Sequence, residues 1–257
     1  METTKERLKQ LRLSAAILSL EDRNQYALDN KISYMDFLDL LLEDEWASRQ
    51  SNAYRKRLQQ SKLNEQKRLD NYDFSWQPDL DKPMVMDMAA CRFIPEKQNI
   101  VLMGKPGVGK THIANALGLE ALKKGYQVIF THANNLIDQL HRSKADGKYQ
   151  SMLSKINRID LLIIDELGFR KIPQNGLDDF FEIIRGRYET GSIIITTNRK
   201  FKDWGSLFGD SIMASAIIDR IVHHATIIKI DGDSYRIKDY KNELSESEEG
   251  SSESSEK

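Results

Sequence analysis

Residues 104–111 read GKPGVGKT, and residues 161–166 read LLIIDE. The first string fits Gly-x-x-x-x-Gly-Lys-Thr, a loop whose backbone N–H groups wrap phosphate. Such a loop turns tightly with no side chain in the way, which Gly104, Gly107 and Gly109 permit. Pro106 stiffens the approach, and Lys105, Val108 and His112 complete the set of candidate nucleotide-binding residues. Lys110 places a point charge on the outer phosphates, and the Thr111 hydroxyl is a magnesium ligand candidate. Residues 99–103 (NIVLM) read as a buried strand. Residues 111–124 read as a helix whose N-terminus faces the anion.

Residues 161–164 are continuously apolar, as in a parallel strand covered on both faces. Asp165 closes that strand and is a candidate to hold magnesium. Glu166 beside it is a candidate to orient or deprotonate the attacking water. An acidic pair at a strand end also occurs as a solvated loop start; the phosphate loop upstream selects the catalytic reading. Residues 191–198 (GSIIITTN) form another buried strand ending in polar residues, and Asn198 can bridge the attacking water and the terminal phosphate. Asn also favours turns and helix starts, and the two roles are compatible.

With 257 residues the chain is long enough for one α/β domain and an appendage. The net charge of −1 conceals an uneven distribution. The six glutamates and one lysine of residues 243–257 hold more than the whole net charge, so the remainder is basic. That Ser/Glu tail cannot bury a core and is expected to be disordered. A single cysteine, Cys91, excludes a disulfide framework and suits a reducing compartment. No run of eighteen apolar residues and no signal-peptide pattern is present, so a soluble cytoplasmic protein without membrane contact is expected.

Four segments are expected: a helical domain over 1–72, a linker over 73–83, a nucleotide-binding domain over 84–240 and the tail over 241–257. In the first, Leu8, Leu11, Ala15 and Leu18 recur at helical spacing. Ser33-x-x-Asp36 resembles a capping box opening a second helix that contains Phe37, Leu38, Leu41, Leu42 and Trp46. Arg49, Arg55, Lys56, Arg57, Lys62, Lys67 and Arg68 then meet only Glu65 as an acid. This run reads either as a solvated helix face or as a track for a phosphate backbone. From residue 84 strands fit near 99–103, 127–131, 160–165, 192–197 and 226–230. Helices fit at 111–123, 134–143, 174–188 and 211–223. That alternation predicts an α/β fold, a five-stranded parallel sheet between helices.

The ordered motifs GKPGVGKTHIANALGLEA, DLLIIDELGF, RYETGSIIITTN, SLFGDSIMASAIIDRIVHH and GDSYR resemble the IstB-type ATP-binding proteins of bacterial insertion sequences. The likeness covers nearly the whole chain except the tail. It implies a P-loop ATPase of the AAA+ superfamily, with ATP and Mg²⁺ as cofactors and a core similar to that of DnaC-type helicase loaders. It also implies roles for Arg220, as an arginine finger reaching a neighbouring subunit's nucleotide, and for Arg236, as a second sensor. Arg220 alternatively forms a salt bridge within the chain or a surface charge. His223 and His224 have no metal partner at ligand spacing and read as packing or surface residues. Lys105 departs from the small or apolar residue common at its position.

The expected function is an ATP-dependent regulator of transposition that self-assembles on duplex DNA, remodels it and recruits an IstA-type transposase. Arg142, Lys144, Lys148, Arg170 and Lys171 are further DNA-contact candidates. A replicative helicase loader is the nearest rival, separable by which partner the protein captures. A small-molecule kinase would need a lid with arginines and a substrate pocket. A scaffold without hydrolysis is disfavoured by the intact Glu166.

Overall fold

A computed structural model describes residues 2–237. The expected tail therefore lies outside the described residues. The chain divides into two compact units, Met1–Arg57 and Leu58–Lys257.

The first unit holds α1 (Glu2–Gln10), α2 (Ser14–Asn30) and most of α3 (Tyr34–Ser61). Ala16, Leu20 and Leu41 form its small core, with Leu8, Leu13 and Phe37 packed on it. The capping box is made as expected: the Ser33 backbone N–H donates to Asp36 Oδ2 at 3.2 Å, and the Asp36 N–H donates to Ser33 Oγ at 3.1 Å. The periodicity expected over residues 8–18 breaks where Arg12 takes a positive φ of 58° between α1 and α2. The phase shifts there, so Leu13, Ala16 and Leu20 turn inward while Leu11 and Leu18 face solvent. Leu38, Leu42 and Trp46 of α3 are exposed as well.

The second unit carries α4 (Lys82–Ala89), β1 (Asn99–Gly104), α5 (Lys110–Lys123), β2 (Val128–His132) and α6 (Ala133–Ala145). It continues with α7 (Tyr149–Arg158), β3 (Leu161–Leu167), α8 (Gln174–Arg187) and β4 (Ser192–Thr197). It then runs through α9 (Trp204–Phe208), α10 (Ser211–Val222) and β5 (Ala225–Ile230). All paired strands are parallel, in the order β2-β3-β4-β1-β5. The central strands β1, β3 and β4 are almost wholly buried, which explains their unbroken Ile/Leu/Val runs.

The unit boundary falls inside α3, earlier than the expected one at residue 72. The cause is a set of ties from residues 61–80 to the sheet-bearing unit. The Asn64 N–H donates to Asn115 Oδ1 at 2.9 Å, and Asn115 Nδ2 donates back to the Asn64 carbonyl at 2.7 Å. Leu69 and Leu80 are buried. The segment read as a linker thus contains 3₁₀ turns at Leu69–Asn71 and Phe74–Trp76, and α4 begins at Lys82, within its expected span.

Candidate functional site

The phosphate loop joins β1 to α5. Gly107 and Gly109 take positive φ of 85° and 96°, and Gly109 caps α5. A Cβ at Gly109 would lie 2.6 Å from Tyr72 Cε2, and one at Gly107 would collide with Ser234 Oγ. The loop is therefore enclosed by residues distant in sequence. Tyr72 Oη donates to the Val108 carbonyl at 3.2 Å, and the Tyr235 N–H donates to the Gly107 carbonyl at 3.0 Å. Burial pushes the Tyr72 phenol up to about 12, so it remains a neutral donor.

Lys110 Nζ donates to the Gly104 and Lys105 carbonyls, each at 2.8 Å. Burial holds its pKa below the ordinary lysine value, opposed by Asp165 and Glu166. The Lys105 side chain is exposed, and its backbone carbonyl anchors Lys110.

Opposite the loop, Thr111 Oγ1 donates to Asp165 Oδ1 at 2.9 Å, and Thr196 Oγ1 donates to the same oxygen at 2.5 Å. Asp165 is buried, with 1% exposed. Between Ile164 and Leu167 the pairing of β3 with β4 slips, and Glu166 adopts a positive φ of 58°. This irregularity does what bulges beside active sites do: it re-aims a side chain. Asp165 stays in the core while the next side chain, Glu166, opens into the cavity. The Glu166 N–H donates to Thr196 Oγ1 at 2.9 Å. One hydroxyl thus fixes both acids.

A cavity of about 400 Å³ lies over the loop. Pro106, Gly107, Val108, Gly109, Lys110, Thr111 and His112 line it, together with Glu166, Asn198 and Arg236. The structure therefore brings together the phosphate loop, the two expected polar strand ends and Arg236. Arg220 lies on α10 outside that lining; its guanidinium donates to the Ala216 carbonyl at 2.8 Å and stacks 5.1 Å from the Phe181 ring centroid.

Several site residues escaped sequence reasoning. Thr196 read as strand interior. His132 ends β2 with Nδ1 3.5 Å from both Asp165 Oδ2 and Glu166 Oε2. Tyr72, the last residue of the expected helical segment, lines the cavity, as do Trp76 and Gln77 from the expected linker. Their signal was the aromatic density of DFSWQP, which linkers do not require.

Four DNA-contact candidates have other engagements. Lys67 lines the cavity beside the phosphate loop. Arg49 pairs with Glu45 at 2.7 Å and donates to the Arg12 carbonyl at 3.0 Å, which ties it into the first unit. Lys144 pairs at 2.7 Å with the buried Asp179. Arg68 donates to the Glu65 carbonyl, and its own carbonyl oxygen lies 2.7 Å from His112 Nε2. Arg55, Lys56, Lys62, Arg142, Lys148, Arg170 and Lys171 are exposed, and Arg57 is half-buried.

The parallel sheet, the loop between β1 and α5 and the acidic end of β3 define a P-loop protein of the AAA+ type. The chain belongs to the IstB-like ATP binding protein family, whose model matches residues 6–243. It is 37% identical over 239 residues to the insertion sequence IS21 ATP-binding protein of Pseudomonas aeruginosa, covering 93% of this chain and 89% of that one. Among solved structures, AMPPCP-bound DnaA from Aquifex aeolicus superposes with a TM-score of 0.57 at 26% identity, over 72% of this chain and 57% of that one. The DnaC helicase loader shares the fold, with a TM-score of 0.51 at 22% identity over 58% of this chain and 86% of that one. Among the described residues no helix is long and apolar enough to cross a membrane.

Proposed function

We propose that this protein binds and hydrolyses ATP and acts, as a self-assembled oligomer on duplex DNA, as a transposition regulator that recruits a transposase in the cytoplasm. The observation that carries the hydrolytic reading is the Thr196 clasp, which buries Asp165 against Thr111 and presents Glu166 to the cavity. A scaffold that only binds nucleotide has no need of that division.

Backbone N–H groups of the loop and the N-terminus of α5 cradle the phosphates. Lys110, Arg236 and Lys67 supply the surrounding positive charge. Asn198 positions the attacking water, and Glu166 accepts its proton. The Thr111 hydroxyl and the Asp165 carboxylate are adjacent hard oxygen donors, which fits magnesium, whose chemistry there would be neutralisation of phosphate charge. Arg220 lies outside its own subunit's cavity, which suits a finger acting on a neighbour.

DNA contact falls to Arg55, Lys56, Arg57 and Lys62, with Arg142 and Lys148. The rest of the first unit does not suit a polyanion, because residues 14–48 hold eight acids against two bases. The transposase partner is supported by relatives encoded in insertion sequences. The likeness to the helicase loader extends to the fold alone. A malachite-green phosphate assay with and without duplex DNA tests the chemistry. Glu166→Gln is expected to retain ATP binding and to lose turnover; turnover at the parent rate removes Glu166 as the base.

A further inference from the structure

Far along the chain from the phosphate loop, the end of α8 and the end of α10 bring three metal-ligand side chains together. Glu189 sits in the turn after α8, and His223 and His224 follow α10. One ligand atom from each lies within 4.8 Å of the other two. His224 Nε2 is 3.5 Å from Glu189 Oε1, and the two imidazole centroids are 4.0 Å apart. Donors on a tetrahedral zinc at about 2.0–2.1 Å stand ~3.3 Å apart, so small side-chain rotations close this set.

Three features argue for a built cluster rather than a chance encounter. Tyr188 Oη is 2.7 Å from His223 Nδ1, the outer contact that orients a ligating imidazole and leaves Nε2 for the ion. Glu189 adopts a positive φ of 59°, a conformation that costs a non-glycine residue energy and recurs at functional sites. The turn is also rigidly held. Arg187, itself buried, donates to the carbonyls of Ile156, Ile159, Asp160 and Ser192 at 2.6–3.2 Å. The ligands therefore stand on fixed elements, not on free loops.

We propose that Glu189, His223 and His224 form a binding site for a divalent transition-metal ion, zinc first. Two imidazoles and one carboxylate leave a fourth position for water, and these donors suit zinc over calcium or magnesium. A bound ion clamps the C-terminal end of α10 to the turn between α8 and β4.

Chelator-stripped full-length protein is titrated with zinc chloride by calorimetry, and with cobalt(II) by visible absorption. The parent is expected to bind an ion at this site, to show tetrahedral cobalt bands and to melt at higher temperature with zinc. E189Q and the double variant H223A/H224A are expected to weaken that binding at least tenfold and to lose the bands. H132A is the control, because His132, Asp165 and Glu166 form the other three-ligand group among the described residues. It is expected to keep the bands. Two results would each overturn the proposal. One is no binding by the parent. The other is binding that survives E189Q and the double variant, whether or not H132A removes it. The altered side chains are exposed, and unchanged far-ultraviolet circular dichroism verifies that the variants are folded.

Discussion

Replacing Thr196 with valine removes one oxygen and tests the central claim about the site. The Thr196 hydroxyl donates to Asp165 Oδ1 at 2.5 Å and accepts the Glu166 N–H at 2.9 Å. Its residue is 1% exposed, so water does not readily replace it. A hydrogen bond to a charged group contributes about 1.5–3 kcal/mol, and a buried amide left unpaired costs about 1–3 kcal/mol. Asp165 keeps its bond from Thr111, which offsets part of the first loss, and valine leaves no cavity, so the effect falls near the bottom of that combined range or slightly below it, about 2–3 kcal/mol. The loss falls where Glu166 is held in its positive-φ conformation. If it all reaches the transition state, turnover drops roughly 30- to 150-fold. Steady-state phosphate release and urea denaturation are measured on Thr196→Val and Thr196→Ser. Serine retains the oxygen and is expected within a few-fold of the parent. Valine turnover within twofold of the parent, in a folded protein, would refute the claim that this hydroxyl positions the catalytic carboxylate.

If Arg220 acts across a subunit boundary, mixing Arg220→Ala with Glu166→Gln protein restores part of the ATPase activity; no rescue with both variants co-assembled places it in cis. Alanine at Arg55, Lys56 and Arg57 together is expected to weaken binding about equally for unrelated duplexes and to flatten the salt dependence, because phosphate contacts carry no sequence information. Parent affinity and slope in a fluorescence anisotropy titration would assign DNA contact to the second unit. In the first unit, the hydrogen-bonded Arg23 guanidinium holds the Asp44 carboxyl at about 2, below the ordinary ~4. Asp44 then contributes stability that is complete above its unfolded pKa and lost as pH falls through 2. Asp44→Asn is expected to flatten the acid loss of helicity between pH 4 and 2, followed by circular dichroism.

The sheet was legible because parallel strands buried on both faces leave continuous apolar runs. The expected β4 at 192–197 coincides with the observed strand, and the other four lie within two residues at either end. The phosphate loop was legible because its chemistry is local. What stayed hidden depends on non-local contacts. Thr196 is one polar residue in an apolar strand, and its role exists only once β4 lies beside β3. Arg187 looks like one of two basic residues ending α8, yet it is buried among four carbonyls; burial holds its pKa at about 10. The helix α7 was missed because it is short and spans one amphipathic patch. The acidic first unit hid behind the basic run, since α3 passes from acids to bases along one continuous helix.

Asp165 and Glu166 show how neighbouring identical chemistries acquire different tasks. Both are carboxylates at one strand end, and a regular strand would place them on opposite faces of the sheet. The irregular pairing after Ile164 instead turns Glu166 toward the cavity while Asp165 remains under Thr111 and Thr196. A carboxylate that accepts two hydroxyl donors is fixed in place and suited to hold a cation. One that is half exposed and carries no such donors keeps its lone pairs for a proton. The backbone irregularity is therefore the element that separates binding from proton transfer. Restoring regular pairing there would remove the separation even with both acids retained.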